Sequence, residues 1–125
     1  MRRVALVFLL VSFTACANVQ MFRVLDCDTL YFGTQKPDHT AVSDVEWTRF
    51  MEEVVTPRFP DGFTTWEASG QWRDQKGEIE HERTHILQIV SPSETKVREI
   101  IDLYKKQFQQ EAVLRVHSHV GVAFR

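Results

Sequence analysis

The sequence is poor in cysteine, which excludes a fold held together by a network of disulfides. Only Cys16 and Cys27 occur among its 125 residues, whereas a disulfide framework needs several pairs. Glycine and proline are also scarce, with five and four residues, so collagen-like and low-complexity chains are excluded. With 43% hydrophobic residues, we expect one globular domain that is stabilised by its hydrophobic core.

The chain also lacks an excess of positive charge. Lysine and arginine together number 15 against 17 aspartates and glutamates, and the formal net charge is -2. Proteins that bind nucleic acid neutralise phosphates with clustered Lys and Arg side chains. We therefore predict no nucleic-acid partner.

The one long hydrophobic run has the pattern of an export signal. Two arginines precede the apolar residues 4–13, and this run is too short to span a bilayer comfortably as a helix. Residues 13–16, Phe-Thr-Ala-Cys, resemble a bacterial lipobox, so we predict a signal peptide over residues 1–16 and lipidation of Cys16. Ordinary signal-peptidase cleavage around Ala15 is the alternative.

Several expectations about location follow from this signal. The protein would be exported across the inner membrane and would reside on the periplasmic side. A lipid on Cys16 would anchor it to a membrane, the outer membrane in preference to the inner one. Residues 17–27 would form a linker to a single domain over residues 28–125.

Two helices are predicted from capping patterns. Ser43 with Glu46 forms a capping box at the start of an amphipathic helix that should end before Pro57. Ser91 with Glu94 forms a second capping box, and an apolar stripe follows it.

Four segments have strand character, and Gly70 in the second marks a bulge or a close approach of backbones. These segments are residues 28–34, 63–73, 79–90 and 112–124. The order βαββαβ predicts an α+β, ferredoxin-like domain, with a four-stranded antiparallel sheet and both helices on one face.

Several segments resemble the bacterial domain of unknown function 3574 family, over about residues 28–124. They are DTLYFG at 28–33, VVTPRFPDG at 54–62, GQWRD at 70–74 and AVLRV at 112–116. The resemblance implies an exported single domain, often with a lipoprotein signal. It implies no catalytic role, because the activity of that family is unassigned.

Residues 81–85 spell His-Glu-x-x-His, a motif that binds zinc when it lies on a helix. Here the motif falls in a predicted strand, where His81 and His85 would lie about 13 Å apart at ~3.3 Å per residue. That separation is too large for one ion, so a zinc peptidase is the lowest-ranked hypothesis.

His117 and His119 lie two residues apart in the last predicted strand, so they project from the same face. Two ligands do not complete a metal site, and a third donor such as His85 or Glu67 would be needed. We therefore predict no metal site and no cofactor, and His81, His85, His117 and His119 are only weak metal candidates.

The sheet face away from the helices is the predicted binding surface. Strand alternation places Tyr31, Arg115 and His117 there. The full set of candidate ligand-binding residues is Tyr31, Glu67, Gln71, Arg83, Arg115 and His117. The protein would be a binding or interaction module, and this face would hold a small anionic or polar ligand or would pair with a second copy as a homodimer.

The alternative is a small enzyme that uses acid-base or metal-assisted chemistry on the same face. Tyr31, Glu67 and His117 would carry that chemistry. No nucleophile and base occur at a diagnostic spacing, so no catalytic residue is assigned and the sequence leaves open whether the protein is an enzyme.

Overall fold

The computed structural model describes residues 21–124, so the predicted signal peptide and Cys16 lie outside the described residues. The strands are β1 (Arg23–Gly33), β2 (Thr64–Arg73), β3 (Ile79–Val90) and β4 (Leu114–Val122). The helical segments are α1 (Asp44–Phe50), a π-helical turn (Met51–Val55), α2 (Thr56–Arg58) and α3 (Glu94–Phe108). Within residues 21–124, no helix combines the length and the apolar character that a membrane span requires.

The four strands form one antiparallel sheet in the order β2-β3-β1-β4. This order, with helical segments after β1 and β3, confirms the predicted ferredoxin-like α+β fold. β1 begins at Arg23, opposite Val122 of β4. Residues 23–27 therefore belong to the sheet, and the predicted linker ends too late in the chain.

Both long helical regions cover the same face of the sheet. Strand residues Leu30, Phe32, Leu87 and Ile89 form one core cluster with residues of both helical regions. The helical members of this cluster are Phe50, Val55, Val97, Ile100, Tyr104 and Phe108. Aromatic contacts dominate its centre, and the ring centroids of Phe32 and Tyr104 lie 4.7 Å apart.

The first helical region begins as predicted but continues past Pro57. Ser43 and Glu46 form the complete capping box. The π-helical turn breaks the regular hydrogen-bond pattern directly before Pro57, and Pro57 lies at the start of α2, where a missing N–H is tolerated. This turn also buries Val55, which lies outside the apolar stripe of Trp47, Phe50, Met51 and Val54 that the helical spacing predicts.

The second long helix, α3, begins two residues later than predicted. Its N-cap is Ser93, whose side chain makes no capping hydrogen bond. Ser91 has a positive φ of 54° and donates its backbone N–H to the carbonyl of Asp26 at 2.7 Å. The predicted capping box at Ser91 is therefore wrong, because the backbone there is used to close β3 against β1.

Candidate functional site

The register of β1 and β4 places the predicted site residues on opposite faces of the sheet. Residues directly opposite each other in an antiparallel pair share a face. Leu30, which lies in the core under the helices, is opposite Arg115, whereas Tyr31 is opposite Leu114. Arg115 and His117 therefore lie on the helix-covered face, and the prediction that they share the open face with Tyr31 is wrong.

The apolar pattern of β4 explains this error. Leu114 and Val116 alternate with Arg115 and His117, which is typical of a strand whose hydrophobic side faces the core. In the structure they instead lie on the open face, where Leu114 is 61% exposed and Val116 is 44% exposed.

The six candidate residues fall into three separate places. Tyr31 and Gln71 border a cavity on the open face of the sheet. Glu67 and Arg83 lie near the start of α1, while Arg115 and His117 lie near the start of α3. The acid-base set proposed from the sequence, Tyr31 with Glu67 and His117, is therefore not assembled.

The cavity on the open face has a volume of about 300 Å³. It extends from the sheet to the loop between α3 and β4. It is lined by Tyr31, Gly33, Gly70, Gln71, Trp72, Glu82, Thr84, Gln110, Glu111, Ala112 and Leu114.

Two glycines allow polar side chains to lie across the base of this cavity. A Cβ atom at Gly33 would lie 2.8 Å from the carboxylate carbon of Glu82, and one at Gly70 would overlap Thr84 Oγ1. The contact at Gly70 is with a side chain, whereas the sequence predicted a bulge or a close approach of backbones there, and the pairing of β2 with β3 runs through Gly70 without a bulge. Glu82 also accepts a hydrogen bond from the backbone N–H of Gln35 at 2.8 Å, which holds its carboxylate in place.

The cavity has an acidic lining. Glu82 and Glu111 contribute carboxylates, and none of the described residues that line it is a lysine, arginine or histidine. Arg115, which was expected to attract an anion to this face, lies on the other one. The arrangement therefore favours a neutral or cationic ligand over an anionic one.

A second polar cluster surrounds Asp28, whose side chain is fully buried. Asp28 Oδ2 accepts a hydrogen bond from Arg115 at 2.7 Å, and Asp28 Oδ1 lies 2.8 Å from His117 Nδ1. The same Arg115 nitrogen also lies 2.7 Å from Glu94 in the first turn of α3. Hydrogen bonds from Arg115 and Arg98 lower the pKa of Glu94 to about 2, while Glu94 and Asp28 raise the pKa of Arg115.

The two histidines of the zinc-peptidase pattern lie in different surroundings, and the buried one, His85, is packed in the protein interior. β3 is extended through residues 81–85, as predicted, and His81 is exposed. The His85 ring stacks on Trp47 with centroids 4.2 Å apart, and burial lowers the pKa of His85. His81 and His85 cannot converge on a zinc ion in this geometry.

The sequence reasoning missed Glu82 and Asp28 as functional candidates. Glu82 had been considered only as part of the zinc-peptidase pattern, although strand alternation places it on the same face as Thr84 and Ile86. Asp28 lies on the same face of β1 as Leu30 and Phe32, and a carboxylate directly beside two apolar residues on a strand face was the available signal for a buried charge.

A family model matches most of the chain. Residues 27–124 match the model of the DUF3574 family, whose members are described as proteins of unknown function. The search of curated proteins gave no significant match.

Two solved structures of a phage SAM lyase resemble the chain. The first, in complex with S-methyl-5'-thioadenosine, has a TM-score of 0.62 at 14% sequence identity and covers 78% of this chain and 83% of that chain. The apo state has a TM-score of 0.49 at 10% identity and covers 82% and 93% of the two chains. At 14% identity, the likeness to the first structure shows a shared fold only.

Proposed function

The chain belongs to the DUF3574 family of proteins of unknown function, and we propose that it binds a small nucleoside-type ligand without negative charge. The cavity on the open sheet face would hold this ligand. The observation that carries the proposal is the combination of aromatic walls, a glycine base and two carboxylates in that cavity.

The size and walls of the cavity fit a ring system. Its volume of about 300 Å³ lies at the lower end of the range of ligand pockets. Tyr31 and Trp72 border it, and aromatic rings bind flat ring systems by stacking or edge contacts. A purine base next to Trp72 would use this surface.

The polar groups of the cavity fit hydrogen-bond donors on the ligand. Glu82 accepts one backbone hydrogen bond, and an ionised carboxylate can accept further bonds. Ribose hydroxyls or an amino group would supply them. A phosphate would instead face Glu82 and Glu111 with no basic group among the described lining residues, which makes its binding unfavourable.

The phage SAM lyase supports the choice of compounds to test. It is described in complex with S-methyl-5'-thioadenosine, which is a neutral nucleoside thioether. Because the likeness to this chain extends only to the fold, the ligand class here rests on the cavity itself.

The proposal is tested by calorimetric titration of the full-length chain. We expect S-methyl-5'-thioadenosine and adenosine to bind at least tenfold more tightly than AMP, which has the same base and sugar with an added phosphate. Equal or tighter binding of AMP, or no binding of either nucleoside, would overturn the proposal.

Variants locate the binding to this cavity. Trp72→Ala and Glu82→Gln should each weaken nucleoside binding about tenfold or more, the loss expected for one aromatic or hydrogen-bonding contact. Trp66→Ala is the matched control. Trp66 lies on the same strand and face and is 42% exposed, against 38% for Trp72, but it does not line the cavity.

An enzyme acting on the same ligand is the alternative. Tyr31 and Glu82 are the cavity residues that could move a proton. Incubation with S-adenosylmethionine followed by chromatography distinguishes the two functions. Formation of S-methyl-5'-thioadenosine that is lost in Glu82→Gln would establish an enzyme, whereas binding without turnover supports a binding module.

A second candidate role of the open face is to form the interface of a homodimer. Trp66, Val90, Leu114 and Val116 lie on that face and are 38% to 61% exposed. Apolar residues grouped on one side of a small domain are typical of an interaction surface. A second copy would cover these residues beside the ligand cavity.

We also propose that the protein is exported and is anchored by a lipid on Cys16. The residues that predict this lie outside the described part of the chain, so the proposal is based on the sequence. Metabolic labelling with a radioactive fatty acid in a bacterial host tests them. We expect label in the wild-type chain and none in Cys16→Ser. Equal labelling of the two chains would refute the anchor.

A further inference from the structure

We propose that Asp26, His117 and His119 form a binding site for a divalent transition-metal ion of the zinc class, in which Asp28 positions His117. This site is separate from the nucleoside cavity, because its residues project to the opposite face of the sheet. It does not depend on the proposed function.

The pairing of β1 with β4 brings the three ligands together. Asp26 is directly opposite His119, and Asp28 is directly opposite His117. One ligand atom from each of Asp26, His117 and His119 lies within 4.8 Å of the others. The sequence analysis considers only His117 and His119 in this strand, with His85 or Glu67 as the third ligand. The structure places Asp26 of β1 beside them instead.

The distances suit closure around one ion. Asp26 Oδ1 lies 2.7 Å from His119 Nδ1 and 3.8 Å from His117 Nε2. Donor atoms in a tetrahedral zinc site lie about 3.3 Å apart when each metal bond is about 2.0 Å long. Side chains that are about half-exposed or more, as these three are, can make adjustments of this size.

Asp28 provides an independent indication that the site is built. Its side chain is fully buried and lies 2.8 Å from His117 Nδ1. Because a carboxylate only accepts hydrogen bonds, a neutral His117 ring presents its Nδ1 proton to Asp28, which leaves the lone pair of Nε2 free on the side of Asp26. A carboxylate behind a histidine that binds a metal is the common second layer of such sites.

Arg115 fixes this carboxylate in turn. Its guanidinium is within 2.7 Å of both Asp28 Oδ2 and Glu94 Oε2. Two imidazoles and one carboxylate favour zinc, cobalt, nickel or iron over magnesium or calcium. Three protein ligands also leave at least one coordination position for water or an exogenous ligand.

The first test is calorimetric titration of the full-length chain with Zn²⁺. We expect one ion per chain with a Kd in the micromolar range or tighter. His119→Ala and Asp26→Asn should each weaken binding at least tenfold, and both positions are exposed enough for the variants to fold. His81→Ala and His39→Ala, which remove exposed histidines elsewhere, should leave the Kd unchanged.

The positioning role of Asp28 needs its own test. Asp28→Asn should weaken Zn²⁺ binding 10- to 100-fold, as loss of a carboxylate behind a metal-binding histidine typically does. If this buried substitution prevents folding, the ¹⁵N chemical shifts of the wild-type imidazole give the answer. Zn²⁺ should then shift Nε2 of His117, while Nδ1 keeps its proton.

Three results would overturn the inference. They are the absence of Zn²⁺ binding below about 1 mM, wild-type affinity in His119→Ala, and a metal-induced shift at Nδ1 of His117 in place of Nε2.

Discussion

At the residue scale, Asp28 is a buried charge that depends on its partners. The Asp28 side chain has no solvent exposure, and Arg115 and His117 contact its two oxygens. Taking a carboxylate out of water is costly unless hydrogen bonds and an opposite charge compensate. The pairing of β1 with β4 therefore supplies the partners that compensate the burial of Asp28.

Replacement of Arg115 by methionine should destabilise the domain by about 3 kcal/mol, because it leaves the buried carboxylate without the permanent positive charge that pairs with it. Urea unfolding of the two chains measures this difference. Arg98→Met is the matched control, since Arg98 also binds Glu94 but is 69% exposed, and its cost should stay within about 0.5 kcal/mol. A loss below about 1 kcal/mol in Arg115→Met would contradict the prediction.

His85 is the second residue whose burial has a measurable consequence. It stacks on Trp47 and is 2% exposed, and burial lowers its pKa. In the unfolded chain a histidine titrates near pH 6.5. As the pH falls below about 6.5, the unfolded chain therefore binds a proton that the folded chain does not bind, and stability is lost.

His85→Phe should remove this loss. Between pH 6.5 and 5, the unfolding free energy of the wild-type chain should fall more steeply than that of His85→Phe. The difference can reach about 1.4 kcal/mol per pH unit, the limit for one proton. Urea unfolding at a series of pH values gives the slopes. His81→Phe, an exposed position on the same strand, should keep the wild-type slope, and equal slopes for all three chains would refute the assignment.

At the element scale, the two helix starts show how much a capping sequence can decide. The Ser43 hydroxyl accepts a hydrogen bond from the backbone N–H of Glu46, which completes the predicted capping box. At the start of α3, Glu94 is instead bound by Arg98 and Arg115, and Ser93 makes no side-chain cap. Tertiary contacts therefore replace the local cap at the second helix.

This difference predicts unequal effects of removing the two hydroxyls. Ser43→Ala should cost about 1 kcal/mol, because the N-cap hydrogen bond is lost. Ser93→Ala should change stability by less than about 0.5 kcal/mol, since there is no such bond to lose. Thermal or urea unfolding measures both variants, and an equal loss in the two would show that the caps are equivalent.

The strands show that hydrophobic periodicity can identify a strand without identifying its buried face. In β3 the apolar run at residues 86–90 correctly predicts a strand, and the chain is extended through His81 and His85, which removes the basis for a zinc peptidase. In β4 the alternation of apolar and polar residues leads to the wrong face, because Leu114 and Val116 are exposed while Arg115 is paired with buried Asp28. Period two identifies a strand but does not identify which of its sides is covered.

At the scale of the whole molecule, the sheet separates two proposed sites. The cavity proposed to bind a nucleoside lies on the open face, and the proposed metal site lies on the side that the helices cover elsewhere. The open face also carries the exposed apolar residues that favour a homodimer.

Sedimentation of the full-length chain in detergent tests the homodimer. We expect a dimer for the wild type and a monomer for Val116→Glu, since a charge in a buried apolar interface is strongly unfavourable. Leu103→Glu is the matched control, because Leu103 on α3 is 37% exposed and lies away from the open face. A monomeric wild-type chain, or dimers of Val116→Glu, would exclude this interface.

The amino-acid pattern was enough to predict the order of strands and helices, the ferredoxin-like fold and the extended state of residues 81–85. These features depend on hydrophobic periodicity, turns and caps, which act between residues close together in the chain. It also identified Tyr31, Gln71, Arg115 and His117 as polar or aromatic residues of interest, but placed them on one surface.

Which residues share a site depends on contacts between segments that are far apart in the chain. Asp28 meets His117 across 89 positions of the chain, and Gly33 meets Glu82 through the pairing of β1 with β3. A shift of one residue in either register would exchange the two faces of a strand. Register is set by packing between distant segments, so the cavity and the proposed metal site could not be read from the local pattern.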